Sequence, residues 1–486
     1  MKIAVFADLH LTDRTETVKM QVLQWALAEV LRQKADTIVC IGDLTASGSA
    51  LQCRAVLEKL SNSAIPYCST PGNAELRSSF AVEAEKLFTV DVPENIPVIL
   101  LNTARREPLA EDLKKLEKLP ENSGFLLATH VPVERWSKEA QSVLEHARKR
   151  RAVTALIAGH SHNDDVEVMR GMDPDKASGG VPMIAFFEQN KSDKYWQRNN
   201  CAVPGVDPGE WDEALQRKFA GHIGLSAMHE PLDGVKFAVR EKVPHLEFRP
   251  PLECSDELME YIRLWRAGGG KTLSLHLPNL MLDDPDGVLK KYALTACKIG
   301  CDRVTLHVPK ITADKFAENE QRFLERFKED LSVLLENDIV IGIENLHTSP
   351  GKEAFDQRNY GCNIEECVHW VTLLRKHFDT EKIGFHLDVG HARNNAPFSM
   401  DDNLSDYYLV MNQLINGFHL HQVEHIDGKY INHCQVKGFY DKLISFAGLF
   451  MAFKSGMFND NVPMFMEVRT LQGNIETYCR VKSLLQ

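Results

Sequence analysis

The stretch Met1-Lys2-Ile3-Ala4-Val5-Phe6-Ala7-Asp8-Leu9-His10 sets the pattern for the first half of the chain. An apolar run, Ile3–Ala7, leads into a carboxylate and, two positions on, an imidazole. A short apolar run with a polar boundary reads as a buried strand, and the polar residues then project from its end. The pattern recurs. Thr37–Ile41 leads into Gly42-Asp43, Phe125–Thr129 into His130, and Ala155–Ala158 into Gly159-His160-Ser161-His162, with Pro97–Leu101 a further strand and Gly72-Asn73 adding an amide. Val18–Gln33 and Ser49–Ser61 have helical spacing between the first strands. This alternation predicts an α/β layered sheet whose binding groups sit at strand ends. Carboxylate, amide oxygen and imidazole are ligands for divalent first-row metals. Two such ions about 3.5–4 Å apart can clamp a phosphate and activate water. Asp43 is placed to bridge them.

Read in order as DxH, GD, GN, H and GHxH, these residues resemble the calcineurin-like metallophosphoesterases over residues 1–190. The resemblance implies an αββα layered domain with two divalent metals (Mn, Fe, Zn or Ni). Asp8, His10, Asp43 and His162 would hold one ion; Asp43, Asn73, His130 and His160 would hold the other. One position departs from the family pattern GNH(D/E), which reads here Gly72-Asn73-Ala74-Glu75. The missing histidine commonly assists the leaving oxygen, and general-acid help is worth about 10²–10⁴-fold. Ala74 therefore favours substrates with good leaving groups or a proton donor from elsewhere, and keeps an inactive metal-binding interaction module as an alternative.

Residues 191–219 are polar, with turn signals at Asn199-Asn200, Pro204-Gly205 and Pro208-Gly209, and read as a linker. Beyond it, over residues 220–486, strand-like runs are found at His222–Met228, His245–Arg249, Thr272–Leu277, Arg303–Val308, Val340–Asn345, Lys382–Val389, Gly417–Val423 and Val462–Val468. Helical stretches lie between them at Asp256–Arg266, Asp286–Lys298, Phe316–Glu336, Ile364–Phe378 and Tyr440–Phe453. Eight strands alternating with helices predict a (β/α)8 TIM barrel with its site at the C-terminal strand ends. Those ends carry His276, His307, Glu344, His386-Leu387-Asp388, His391, His419-Leu420-His421 and Glu467. Buried charge of this kind must be paired or bound to metal. His386 lies deeper in its strand and reads as structural.

The strand-end residues resemble the xylose-isomerase-like barrels, which include sugar-phosphate isomerases, epimerases and apurinic-site endonucleases. The resemblance implies one to three divalent metals (Zn or Mn) on His276, His307, Glu344, Asp388, His391, His419 and Glu467. His433 supplies the imidazole of a partial DxH motif whose first position is Ile431. A one- or two-metal site needs only Glu344, Asp388, Glu467 and either His419 or His421, with His419 preferred. Glu344 and Glu467 are also the catalytic candidates, since on separated strands they could act as opposing bases of an isomerase or epimerase.

The 486 residues carry 56 Lys and Arg against 68 Asp and Glu, a formal charge of −12. That charge argues against a nucleic-acid partner, because polyanion binding depends on counterion release by cationic side chains; a DNA abasic-site endonuclease is the lesser alternative. With no apolar run of eighteen residues, no membrane span is expected. The chain enters its first strand directly and its eleven cysteines form no CxxC pair, so a cytoplasmic setting is expected. The combined expectation is a metal-dependent phosphoesterase, more specifically a phosphodiesterase, acting on a small phosphorylated or sugar-like substrate. The barrel would act on or bind the same metabolite, making the chain bifunctional; the alternative places sugar isomerisation or epimerisation mainly in the barrel.

Overall fold

The computed structural model describes residues 1–485 apart from 191, 193, 252, 286, 350 and 400–402. Residues 191 and 193 of the expected linker, Asp286 at the start of an expected helix, and residue 486 lie outside the described residues. The chain forms two compact units, Met1–Asp207 with Phe439–Met451, and Pro208–Gly438 with Ala452–Gln486.

In the first unit the strands are β1 (Lys2–Phe6), β2 (Thr37–Cys40), β3 (Tyr67–Ser69), β4 (Val98–Leu101), β5 (Phe125–Thr129), β6 (Val153–Ala158), β7 (Met183–Gln189) and β8 (Trp196–Ala202). They form two sheets, ordered β3-β2-β1-β7-β8 and β4-β5-β6. Side-chain alternation builds the layers. Leu126 and Ala128 join Val5, Ala7 and Val39 in a core between the sheets. Leu127, between them in sequence, packs on the opposite face with Leu116 and Leu144 of the helices Ala110–Lys118 and Lys138–Lys149. Helices Val18–Arg32 and Ala50–Ser61 start at Thr17 and Ser49, whose hydroxyls accept from the backbone N–H three residues on.

Residues 191–219, expected as a linker, contain β8, which pairs antiparallel with β7. Its residues are half-buried or exposed throughout, so it carries no apolar pattern and takes its register from β7. The same range runs into the helix Glu213–Ala220. A second difference lies at 440–453, expected as one helix: only Ala447–Lys454 is helical, and Phe439–Met451 belongs to the first unit. Asp441 and Asp175 carbonyls accept from Ala177 and Ser445, and Pro174 from Gly448, at 2.8–3.2 Å.

The second unit is a closed barrel of β9 (Ile223–Ser226), β10 (His245–Phe248), β11 (Thr272–His276), β12 (Arg303–His307), β13 (Val340–Glu344), β14 (Ile383–Asp388), β15 (Ile415–Leu420) and β18 (Met464–Met466). These are the eight expected runs. Between β15 and β18 a hairpin of β16 (Gln422–Ile426) and β17 (Lys429–Cys434) folds back through Asp427 and Gly428, both at positive φ as a tight two-residue turn demands. Among the described residues no helix is long and apolar enough to cross a membrane.

Deep in the barrel, Arg303 is buried, with Nη2 3.1 Å from both His386 Nδ1 and Asn416 Oδ1. Glycines at 342 and 417 make room for its guanidinium; a Cβ on Gly417 would lie 2.6 Å from Arg303 Nη1. Gly417→Ala is therefore expected to destabilise the barrel by about 1–3 kcal/mol, the usual result of overpacking. Denaturant unfolding followed by a barrel-specific probe measures this.

Candidate metal centres

In the first unit every expected ligand follows a strand. Asp8 and His10 come after β1, Asp43 after β2, Asn73 after β3, His130 after β5, and His160 and His162 after β6. Asp8, His10, Asp43, His160 and His162 all have φ between 51° and 69°. Non-glycine residues adopt this left-handed region at a cost of about 1–3 kcal/mol each, and such strain concentrates at functional sites. The motif glycines have a steric role as well: a Cβ on Gly72 would strike Asp43, and one on Gly159 would come within 2.6 Å of Asp8 Oδ2.

The side chains converge in two groups, Asp8–His10–His162 and Asp43–His130–His160. Asp43 Oδ2 lies 3.3 Å from His130 Nε2 and 3.7 Å from His10 Nε2, which is where a bridging carboxylate belongs. His10 and His162 face each other through Nε2 at 3.3 Å. The ring orientations fit a cation. His130 Nδ1 lies 3.0 Å from the Ile41 carbonyl and His162 Nδ1 3.0 Å from that of Lys176. Each Nδ1–H donates outward, turning Nε2 to the cluster side, the usual support for a ligating histidine. Asn73 lies against the same rings, its side-chain amide 3.1 Å from His130 Nε2.

Burial governs the electrostatics. It holds the Asp8 carboxyl well above the usual carboxylate range, against the opposing pull of His130. At Asp43 burial is outweighed by His130 and by the Ala74 N–H, so this carboxyl lies below its ordinary range. Burial also disfavours charge on His130, yet Asp43 pushes its pKa up to about 9. His160 falls to about 4 through burial and then the neighbouring His130.

Sequence reading did not assign Glu75 a role. It is fully buried and accepts from the backbone N–H groups of Asp43, Thr45 and Gly72 and from the Thr45 hydroxyl at 2.8–2.9 Å. One carboxylate thereby ties the Asp43 loop to the Asn73 loop. Lys19 is also buried, 2.8 Å from Asp173 and 3.6 Å from Asp175.

In the barrel, Glu344 is the hub. Its Oε2 is 3.1 Å from His276 Nε2 and 3.5 Å from His307 Nε2. Its Oε1 is 3.2 Å from His419 Nδ1 and 3.6 Å from His391 Nδ1. His419 Nδ1 also lies 3.1 Å from Glu467 Oε2 and 3.9 Å from Asp388 Oδ2. His276 joins two groups, one with His307 and Glu344 and one with His419 and Glu467. A third group joins Asp388, His421 and His433. His433 reaches it from β17, with Nδ1 3.5 Å from Glu467 Oε2. His421 faces Asp388 at 3.0 Å, whereas His419 faces Glu344 and Glu467, so the two take different places. His386 sits below, against Arg303 and Thr305. Glu247 on β10 is the carboxylate that sequence reading missed; a charge inside an otherwise buried strand was the available signal.

Burial opposes ionisation of Glu344, but His307 and His419 outweigh it and hold the carboxyl well below its ordinary range. The reverse balance, burial against Glu467, Glu344 and Glu247, holds His419 well above the usual imidazole value.

Residues 1–164 match the model of the family described as calcineurin-like phosphoesterase, so the chain carries a metallophosphoesterase domain there. A search of curated proteins gave no match. Among solved structures the chain is similar to a D-tagatose 3-epimerase-like protein at 16% identity, over 54% of this chain and 97% of that one, with TM-score 0.40. Endonuclease IV from Thermus thermophilus matches at 17% identity over 54% and 98%, TM-score 0.36. A dimetal phosphatase from Danio rerio matches at 13% identity over 42% and 98%, TM-score 0.31.

A ligand bound only by the folded state stabilises it, by about 2.7 kcal/mol at a hundredfold excess over Kd. Mn²⁺ is expected to raise the thermal unfolding temperature and a chelator to reverse the rise. His162→Ala and Glu344→Gln should each remove a separate part of the metal content found by elemental analysis.

Proposed function

We propose that this chain is a metal-dependent phosphoesterase, more specifically a phosphodiesterase, acting at the Asp8–His162 cluster on a small sugar- or nucleotide-containing substrate. Its barrel would hold a second divalent-metal centre that acts on or binds the same metabolite. The observation that carries the reading is the convergence of Asp8, His10, Asp43, Asn73, His130, His160 and His162, with the Nε2 atoms of His130 and His162 turned inward. Divalent cations, when bound, supply Lewis-acid charge against phosphoryl oxygens.

The chain's own residues account for the rest. Lys176 and Arg77 act electrostatically on His10, and Arg135 and Lys442 on His160. This positive surround favours an anionic ester. Lys442 comes from the Phe439–Met451 segment of the same unit. At Ala74 the backbone N–H donates to Asp43 Oδ1 at 2.6 Å, but no side-chain acid stands there to protonate a departing oxygen. That favours esters whose leaving groups need little protonation. In the barrel, both Glu344 oxygens face imidazoles and Glu467 faces His419 and His433. These contacts support a metal-holding role for both residues over a pair of opposing proton bases.

With Mn²⁺ present, bis(p-nitrophenyl) phosphate is expected to be hydrolysed faster than the monoester. Asp43→Ala should lower the diester rate by about 10²-fold or more, since small misplacements of reacting groups already cost that much. Glu344→Gln should leave the rate unchanged. A rate that falls with Glu344→Gln and not with Asp43→Ala would move the hydrolysis to the barrel.

A further inference from the structure

Glu247 on β10 lies fully buried inside the barrel, yet both its oxygens are engaged. Oε2 accepts from the hydroxyls of Ser274 at 2.6 Å and Thr305 at 2.7 Å, and Oε1 lies 2.5 Å from His419 Nε2. The other nitrogen of that ring, Nδ1, faces Glu344 and Glu467 at 3.2 and 3.1 Å. His419 is therefore held between a carboxylate on one edge and the carboxylate cluster on the other.

Comparison with the neighbouring rings gives this arrangement its meaning. His276 places Nδ1 3.1 Å from the Leu277 carbonyl and turns Nε2 toward Glu344. In the first unit, His130 and His162 likewise donate from Nδ1 to carbonyls. His419 is turned the opposite way, with Nδ1 inward, and its outward nitrogen meets a charged acceptor instead of a carbonyl. A carboxylate acceptor fixes the ring more firmly, because charge-assisted hydrogen bonds are about twice as strong as neutral ones, and it raises the basicity of the inward nitrogen. Ser274 and Thr305, on β11 and β12, fix the carboxylate in turn.

We propose that Glu247 is a positioning residue: it accepts the Nε2–H of His419 and thereby presents Nδ1 as the lone pair that, with Asp388, Glu344 and Glu467, holds a divalent cation. This rests on the reading of the barrel as a metal centre. Glu247 is not itself a ligand, since three donors already occupy its oxygens.

The test uses the full chain with Asp43→Ala, His160→Ala and His162→Ala, which breaks both groups of the first unit, so that the cobalt spectrum of the barrel is read without that of the first unit. Glu247→Gln is expected to lower Co²⁺ affinity at one barrel site by about 10–100-fold and to shift the visible cobalt band, with the thermal transition retained. Ser274→Ala, which keeps the carboxylate but removes one of its donors, is expected to act in the same direction and less strongly. Unchanged affinity and an unchanged band in Glu247→Gln overturn the proposal. If that variant does not fold, an unshifted Ser274→Ala spectrum overturns it instead. Glu344→Gln and Glu467→Gln that take up as much cobalt as the parent would overturn the barrel reading itself, an outcome separate from failure at Glu247 alone.

Discussion

A carboxylate removed from water must find positive charge or become neutral, and that constraint organises both halves of this protein. Asp8 and Asp43 in the first unit, and Glu247, Glu344, Asp388 and Glu467 in the second, are all buried. Imidazoles are the groups in closest contact with them, with Arg77 acting on Asp43 from farther off and Arg303 lying beneath the barrel cluster. An imidazole meets the requirement in two ways, by carrying a proton itself or by sharing a cation with the carboxylate. The outward hydrogen bond of His162, which burial holds neutral, leaves its inward nitrogen bare and so favours the second. His130 and His276, raised by Asp43 and Glu344 against burial, meet the requirement in the first way.

The two units meet the same demand with different backbones. In the barrel the donors other than His433 lie on or just beyond parallel strands, where alternation alone aims His419 and His421 to one side. In the first unit they lie just past the strands, all but Asn73 and His130 on residues with left-handed φ, and hydrogen bonds between loops hold that conformation. Leu9 and His10 both donate to the Asp43 carbonyl, at 2.8 and 3.0 Å, while Glu75 ties Asp43 to Gly72. The strain is local, and the surrounding network over-determines it.

How much of this is legible in sequence follows from the range of the interactions. The barrel strands and the ligands after β1, β2, β5 and β6 are set by apolar runs ending in polar residues, a local pattern, and every expected ligand falls into one of the two clusters. β8 is not legible because it is a polar edge strand whose pairing comes wholly from β7. Nor is the place of Phe439–Met451, whose backbone partners at 174–177 lie far away in sequence. His419 and His421 share a face and differ only in depth, which alternation cannot resolve. Glu247 escaped notice because His245–Arg249 reads as an ordinary strand, and only its closure against β11 and β12 gives the charge its partners.

The substitution at position 74 acquires a physical reading from the same geometry. Ala74 is fully buried, and its backbone N–H, not its side chain, touches the centre through Asp43. Ligand positioning therefore does not depend on a histidine there, because Glu75 and the Ala74 amide hold Asp43 and the Asn73 loop without it. What an alanine removes is a proton donor near the departing oxygen, worth about 10²–10⁴-fold where the leaving group is poor. On the proposed phosphoesterase reading, a centre that keeps its carboxylates, its amide and its inward imidazole nitrogens, yet lacks that donor, would be matched to an ester whose leaving group departs without much proton transfer. On the same reading, Lys176, Arg77, Arg135 and Lys442, which act electrostatically on His10 and His160, would serve the other requirement by attracting the anion.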